Sequence, residues 1–171
     1  MNVSFIGLGK LGLPLACCLA QSGNKILGVD KNEYVLEKLN NQELPFYEPG
    51  LTDIFPDNNF IGFTDSYKRA VEETDASIIL VNTQLGDSGY SAEFVESALT
   101  DLSVNLKKSK KDYHLIILSS TVLPGSIKKL IHLVEKISGR KYEKDFGFSY
   151  VPDFVRLGKV IYDFKNPEFF L

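Results

Sequence analysis

Strand and helix signals alternate along the whole chain and predict an α/β fold: a doubly wound, mostly parallel, Rossmann-like sheet in a three-layer αβα arrangement. Three observations carry this expectation. Short apolar runs, the clearest being Ser-Ile-Ile-Leu-Val at 77–81, read as strands covered on both faces. Longer amphipathic stretches separate them, as right-handed crossover connections require. A glycine-rich turn, Gly7-Leu8-Gly9-Lys10-Leu11-Gly12, joins the first strand to the first helix.

Taken in order, residues 3–6 (Val-Ser-Phe-Ile) form a buried strand and 11–21 a helix, which Ser22, Gly23 and Asn24 stop with turn chemistry. Residues 25–29 are the second strand. Asn32 is placed to cap a helix carrying Val35, Leu36 and Leu39 on one face. Two prolines make 43–50 a loop, and 51–55 reads as a single helical turn. A weak strand at 60–63 precedes a helix capped by Asp65 and running to about 73. After the strand at 77–81, a loop with Gly86 and Gly89 leads into a helix over 92–107. The cations Lys107, Lys108, Lys110 and Lys111 end that helix and complement its dipole in solvent. Residues 115–118 form a strand, 124–137 a helix and 146–151 a further strand. From Pro152 onward the chain is rich in aromatics without clear periodicity.

A length of 171 residues is that of one domain, or of one domain with an attached tail. With 44% hydrophobic and 24% charged residues the chain has material for a packed core, and whole-chain disorder is excluded. A net charge of −3 argues against nucleic-acid backbone binding, which needs a basic surface. The apolar stretch 3–20 is broken by glycines, Pro14 and Lys10, so no membrane span or signal peptide is expected there. Cys17 and Cys18 are adjacent, a spacing that neither bridges nor ligates zinc; both fall inside the first helix and read as buried packing residues. No metal site is expected, and a reducing, cytoplasmic location is the default. His114 and His132 have no acid at a telling spacing and read as structural.

The glycine turn carries the chemistry. Gly7 allows the tight turn, Gly9 lets backbone approach a pyrophosphate, and Gly12 lets helix and strand pack closely, while amides at the helix start face the phosphates. Asp30 ends the second strand 18 residues after Gly12, where a carboxylate accepts hydrogen bonds from a ribose diol and repels a 2′-phosphate. NAD is therefore the expected cofactor. Asp30 is equally placed to cap the following helix, and Lys31 beside it would soften discrimination against NADP. On this reading 1–151 is a dinucleotide-binding domain and 152–171 begins a substrate-side segment.

Further motifs occur in a fixed order: Gly-Leu-Gly-Lys-Leu-Gly-Leu-Pro-Leu-Ala (7–16), Gly-Val-Asp (28–30), Tyr-Glu-Pro-Gly-Leu (47–51), Val-Asn-Thr-Gln-Leu (81–85), Ser-Ser-Thr-Val-Leu-Pro-Gly (119–125), Val-Pro-Asp-Phe-Val-Arg-Leu-Gly (151–158) and Tyr-Asp-Phe-Lys-Asn-Pro (162–167). Together they resemble the N-terminal domain of the UDP-glucose/GDP-mannose dehydrogenase family, over essentially the whole chain. The resemblance implies oxidation of a nucleotide sugar, most simply a UDP-hexose, at its C6 alcohol to the uronate with two NAD, through a covalent adduct on a cysteine. That cysteine belongs to a later domain, and neither Cys17 nor Cys18 stands in for it, so the isolated segment is expected to be inactive. The full-length parent is expected to be a homo-oligomer serving polysaccharide biosynthesis.

Residue by residue, the resemblance assigns Gly7, Gly9, Lys10, Leu11, Gly12, Asp30, Thr83 and Thr121 to the cofactor. It gives Thr121 and Asp153 catalytic roles, Thr121 helping to position a water and Asp153 acting as base toward it. Asp153, Phe154, Val155, Arg156 and Leu157 fall on the substrate. Bland readings stand beside these: Thr121 capping the next helix, Asp153 a solvated loop acid, Arg156 a surface cation. The sequence also departs from the family pattern. Asn82 or Gln84 and Leu123 stand where prolines are usual, and Val35 where many members have a lysine. Leu157 replaces a glutamate near the sugar, and Asp153 is one methylene shorter than the family's glutamate. A shorter acid displaced by about 1 Å can cost on the order of 100-fold in rate. The alternative implied is a non-catalytic NAD-binding module of the same family.

Overall fold

The computed structural model describes residues 1–56, 58–83, 85–86 and 89–167; at 85–86 and 89–90 it describes the backbone. The elements are β1 (Asn2–Ile6), α1 (Gly12–Gln21), β2 (Lys25–Val29), α2 (Glu33–Asn40), β3 (Phe60–Thr64), α3 (Tyr67–Glu73), β4 (Ala76–Ile79), a short antiparallel pair β5 (Leu85–Gly86) and β6 (Gly89–Tyr90), α4 (Glu93–Lys108), β7 (His114–Leu118), α5 (Ser126–Ser138), β8 (Phe146–Tyr150) and α6 (Val160–Lys165). Six strands form one sheet in the order β3-β2-β1-β4-β7-β8, every pairing parallel. The order reverses between β1 and β4, the point at which open α/β sheets bind ligands beyond their carboxyl ends.

Each face has its own core. Ile6, Leu27, Val29, Ile79, Ile116 and Leu118 join residues of α3, α4 and α5 on one side. On the other, Val3, Phe5 and Ile26 pack with α1, α6 and the loop residues Leu51, Ile54 and Phe55. Helix α1 is buried on nearly every side, which explains why Gln21 at its end is its one polar side chain; Cys17 and Cys18 are inside it, as packing residues. The segment after Pro152 folds back as α6, whose Val160 and Ile161 enter the α1 core.

The structure corrects several local expectations. Ser66, not Asp65, caps α3: its Oγ accepts from Arg69 N at 3.3 Å. Residues 51–55 make only i→i+3 turns, such as Ile54 N to Leu51 O at 3.2 Å, and never become a helix. Strand β4 ends at Ile79, before the apolar run does: Leu80 N still donates to Ile6 O at 2.9 Å, but Val81 N turns to Ser120 Oγ at 2.9 Å. Helix α6 lies in the segment where no period was visible, since only one face of six residues is buried. Of the lysine run, Lys107 and Lys108 do end α4 in solvent, whereas Lys111 reaches back to the Thr74 carbonyl. Arg140 closes that helix end, donating to the carbonyls of Leu106 (3.0 Å), Ser109 (2.9 Å) and Lys111 (2.6 Å).

At the sheet's amino end, Ser4, Ser77 and His114 form a buried chain across β1, β4 and β7. Ser4 Oγ lies 2.6 Å from Ser77 Oγ, which lies 2.8 Å from His114 Nε2. His114 is fully buried, its Nδ1 makes no hydrogen bond of ordinary geometry, and burial, with Lys111 nearby, pushes its pKa down to about 4. It is a neutral structural histidine. His132 sits exposed on α5.

Candidate functional site

The crevice begins where β1 hands over to α1. Gly7 has φ +98°, and a Cβ on it would lie 2.3 Å from Leu80 O. A Cβ on Gly12 would lie 1.9 Å from Gly7 O. Gly9 is different: nothing stands within 4 Å of where its Cβ would be, so backbone there faces open space. Two glycines thus bring helix and strand together, and the third keeps a ligand-sized approach clear. No side chain caps the α1 N-terminus and no acid stands in its first turn, so nothing in that turn offsets the positive end of the helix dipole. Lys10 is exposed beside the turn; Leu11 is half-buried.

Asp30, at the end of β2, is half-buried and accepts from Leu8 N at 2.7 Å and from Asn32 N at 2.9 Å. One carboxylate therefore ties the glycine turn to the second strand. It does not cap α2; Asn32 does, accepting from Val35 N at 3.3 Å. With one amide on each oxygen, Asp30 keeps acceptor capacity for a diol. The open backbone at Gly9, the uncapped helix start and this carboxylate fit the diphosphate and ribose of a dinucleotide.

The other wall comes from the ends of β4, β7 and β8. Ser120 Oγ accepts from Val81 N (2.9 Å) and donates to Val81 O (2.8 Å), locking the two exits together. Thr83 and Thr121 lie just past β4 and β7, Thr83 half-buried and Thr121 exposed. Thr121 does not cap α5, whose N-cap is Gly125. Asn82 is exposed, and Gln84 lies outside the described residues.

Past β8, Asp153 is half-buried and hydrogen-bonded to the Ser119 side chain. Burial pushes its carboxyl up to about 6, while the Ser119 hydroxyl partly holds it down. Phe154 and Leu157 are exposed, at 58% and 65%, whereas Val155 packs against the α1 core. Arg156 is engaged in a bidentate pair: Nε and Nη2 donate to Asp163 at 2.9 and 2.6 Å, and its own backbone amide adds a third bond at 3.0 Å. That guanidinium holds the Asp163 carboxyl down at about 2. Glu48, almost completely buried, accepts from Gly158 N (3.1 Å) and Val160 N (3.0 Å). Sequence reading singled out none of Ser119, Ser120, Glu48 and Asp163, although all four lie in quoted motifs; polar residues in three proline-bearing stretches were the available signal. Among the described residues, no group of His, Cys, Asp or Glu is arranged to hold a metal ion, and no helix is long and apolar enough to cross a membrane.

The chain matches the model of the UDP-glucose/GDP-mannose dehydrogenase family, NAD binding domain, over residues 1–170. It is 32% identical, over 98% of its length, to a GDP-mannose 6-dehydrogenase of Pseudomonas putida, of which it covers 39%. It is 30% identical, again over 98%, to a UDP-glucose 6-dehydrogenase of Haloferax volcanii, covering 40% of that protein. Among solved structures, a ternary complex of GDP-mannose dehydrogenase from Pseudomonas aeruginosa superposes with a TM-score of 0.90 at 31% identity, over 98% of this chain and 39% of that one. A UDP-glucose dehydrogenase from Pyrobaculum islandicum superposes with a TM-score of 0.87 at 29% identity, over 98% and 39%. The chain thus spans about two fifths of the length of these relatives.

Proposed function

We propose, since the chain belongs to the UDP-glucose/GDP-mannose dehydrogenase family and forms its NAD-binding domain, that it serves a nucleotide-sugar 6-dehydrogenase oxidising the C6 alcohol of a UDP-hexose to the uronate with two NAD. The carrying observation is a raised carboxyl, Asp153 beside Ser119, on the same sheet edge as the dinucleotide cradle. NAD, when bound, supplies the two-electron acceptor.

The chain's own residues do the rest. Backbone at Gly7, Gly9 and Gly12, with Lys10 and Leu11, holds the diphosphate, and Asp30 holds the ribose diol. Thr83 and Thr121 flank the cofactor at the ends of β4 and β7, where Thr121 orients a water. Asp153, with a pKa of about 6, is mostly ionised near neutrality and takes a proton from that water. Phe154 and Leu157 present exposed apolar surface to the nucleotide sugar. Val155 and Arg156 serve that surface from behind: Val155 by packing on the core, Arg156 by bracing the segment against Asp163. The thiol such chemistry needs does not come from Cys17 or Cys18. Both are buried in α1, and burial pushes the Cys18 thiol up.

Two further readings have specific support. GDP-mannose as substrate is favoured by the names of several relatives at 30–33% identity. A non-catalytic NAD-binding module is favoured by Leu157 and the short Asp153. Calorimetry on this chain with NAD, UDP-glucose and GDP-mannose, and NADH absorbance with the full-length parent, separate the three. The proposal expects NAD binding by the chain without turnover, and NADH from the parent with UDP-glucose. NADH with GDP-mannose alone transfers the activity to that sugar. No NADH with either, at intact NAD binding, leaves the module.

A further inference from the structure

Lys31 follows Asp30 directly, so a cation stands one residue from the carboxylate that meets the ribose. Free in the crevice, its ammonium would attract the 2′-phosphate of NADP and offset the repulsion from Asp30. The structure holds it elsewhere. Lys31 Nζ lies 2.7 Å from Asp101 Oδ2 and 3.1 Å from Ser97 Oγ, both on α4. It also lies 5.7 Å from the centre of the Tyr67 ring on α3. Ser97 and Asp101 are four residues apart, one helical turn, and so present their oxygens to the same side. Tyr67 is buried, and Asp101 and Asp30 both add to burial in disfavouring its ionisation, so the ring that the ammonium faces stays neutral.

We infer that Asp101, Ser97 and Tyr67 form a latch that draws Lys31 away from the ribose crevice, and that this latch, with Asp30, sets the preference of the domain for NAD over NADP. With the latch closed, a 2′-phosphate carrying close to two negative charges meets Asp30 while the ammonium of the next residue is already paired with Asp101. The Lys31 side chain is 59% exposed, so once Asp101 is removed only the Ser97 hydroxyl and the Tyr67 ring still hold it. The inference deepens the NAD-binding assignment and rests on it.

Isothermal titration of this chain with NAD and with NADP, the latter in competition with NAD, tests it in wild type, Asp101→Ala, Lys31→Ala and the double variant. The expected result is a three- to tenfold narrowing of the NAD preference in Asp101→Ala, through tighter NADP, with the NAD Kd within twofold of wild type. The double variant should return the preference to that of Lys31→Ala alone. An unchanged preference in Asp101→Ala overturns the latch. So does a narrowing that persists in the double variant, because the lost Asp101 charge would then act without Lys31. Failure of the cofactor assignment is a separate outcome, seen as absence of NAD binding by the wild-type chain.

Discussion

The three glycines of the turn between β1 and α1 look alike in sequence and differ in what surrounds them. Gly12→Ala drives a methyl into Gly7 O at 1.9 Å, backbone that cannot yield without moving α1 from the sheet. It should destabilise the fold by roughly 2 kcal/mol or more, as overpacking and strain do. Gly9→Ala meets no protein atom, so its thermal midpoint should stay within a degree or two of wild type. On the proposed reading its methyl stands where the diphosphate approaches, so NAD affinity should fall at least tenfold. Thermal denaturation and calorimetry on both variants check this, and a Gly9→Ala chain that binds NAD normally would place the diphosphate elsewhere. The turn was legible from spacing because it is a demand on local backbone. The partner of Asp153 was not: Ser119 is 34 residues earlier and meets it only because β7 and β8 lie side by side.

At the level of elements, Glu48 explains a motif whose role was invisible in the sequence. The Tyr-Glu-Pro-Gly-Leu stretch lies between α2 and β3, and its carboxylate accepts from amides at the start of α6, more than 100 residues away. A buried carboxylate on two amides at a helix start is a charge-assisted cap, and the loss of such bonds costs about 1.5–3 kcal/mol. Glu48→Gln keeps the shape but turns a donor toward one of those amides. Amide exchange at Gly158 and Val160 should accelerate strongly while β1 and β2 keep their protection. A uniform loss of protection would make Glu48 a general stability residue rather than the staple of the 153–160 segment. Helix α6 itself escaped the sequence reading because six residues with one buried face carry too little periodicity, and its anchor lies in a distant loop.

For the whole molecule, two groups act on stability in opposite directions over the same pH range. His114 has its pKa lowered from 6.5 to about 4, so the unfolded chain binds its proton first and the fold loses stability as pH falls between those values. Asp153 has its pKa raised from 3.8 to about 6, so the fold binds its proton first and loses stability as pH rises over nearly the same window. Each effect reaches about 2–3 kcal/mol at full extent, and the two largely cancel. Denaturant midpoints between pH 4 and 7 should therefore climb with pH in Asp153→Asn and fall with pH in His114→Gln; parallel profiles in both variants would contradict this. Alternating apolar runs, the glycine spacing and an acid ending the second strand were enough to foresee a doubly wound sheet and an NAD-binding domain, because strand burial and tight turns are requirements that neighbouring residues must meet themselves. Which polar groups find each other — Glu48 with α6, Arg156 with Asp163, Lys31 with Asp101, His114 with Ser77 — emerged only with the folded chain. Those pairings depend on where separate elements converge, and a linear pattern does not encode that distance.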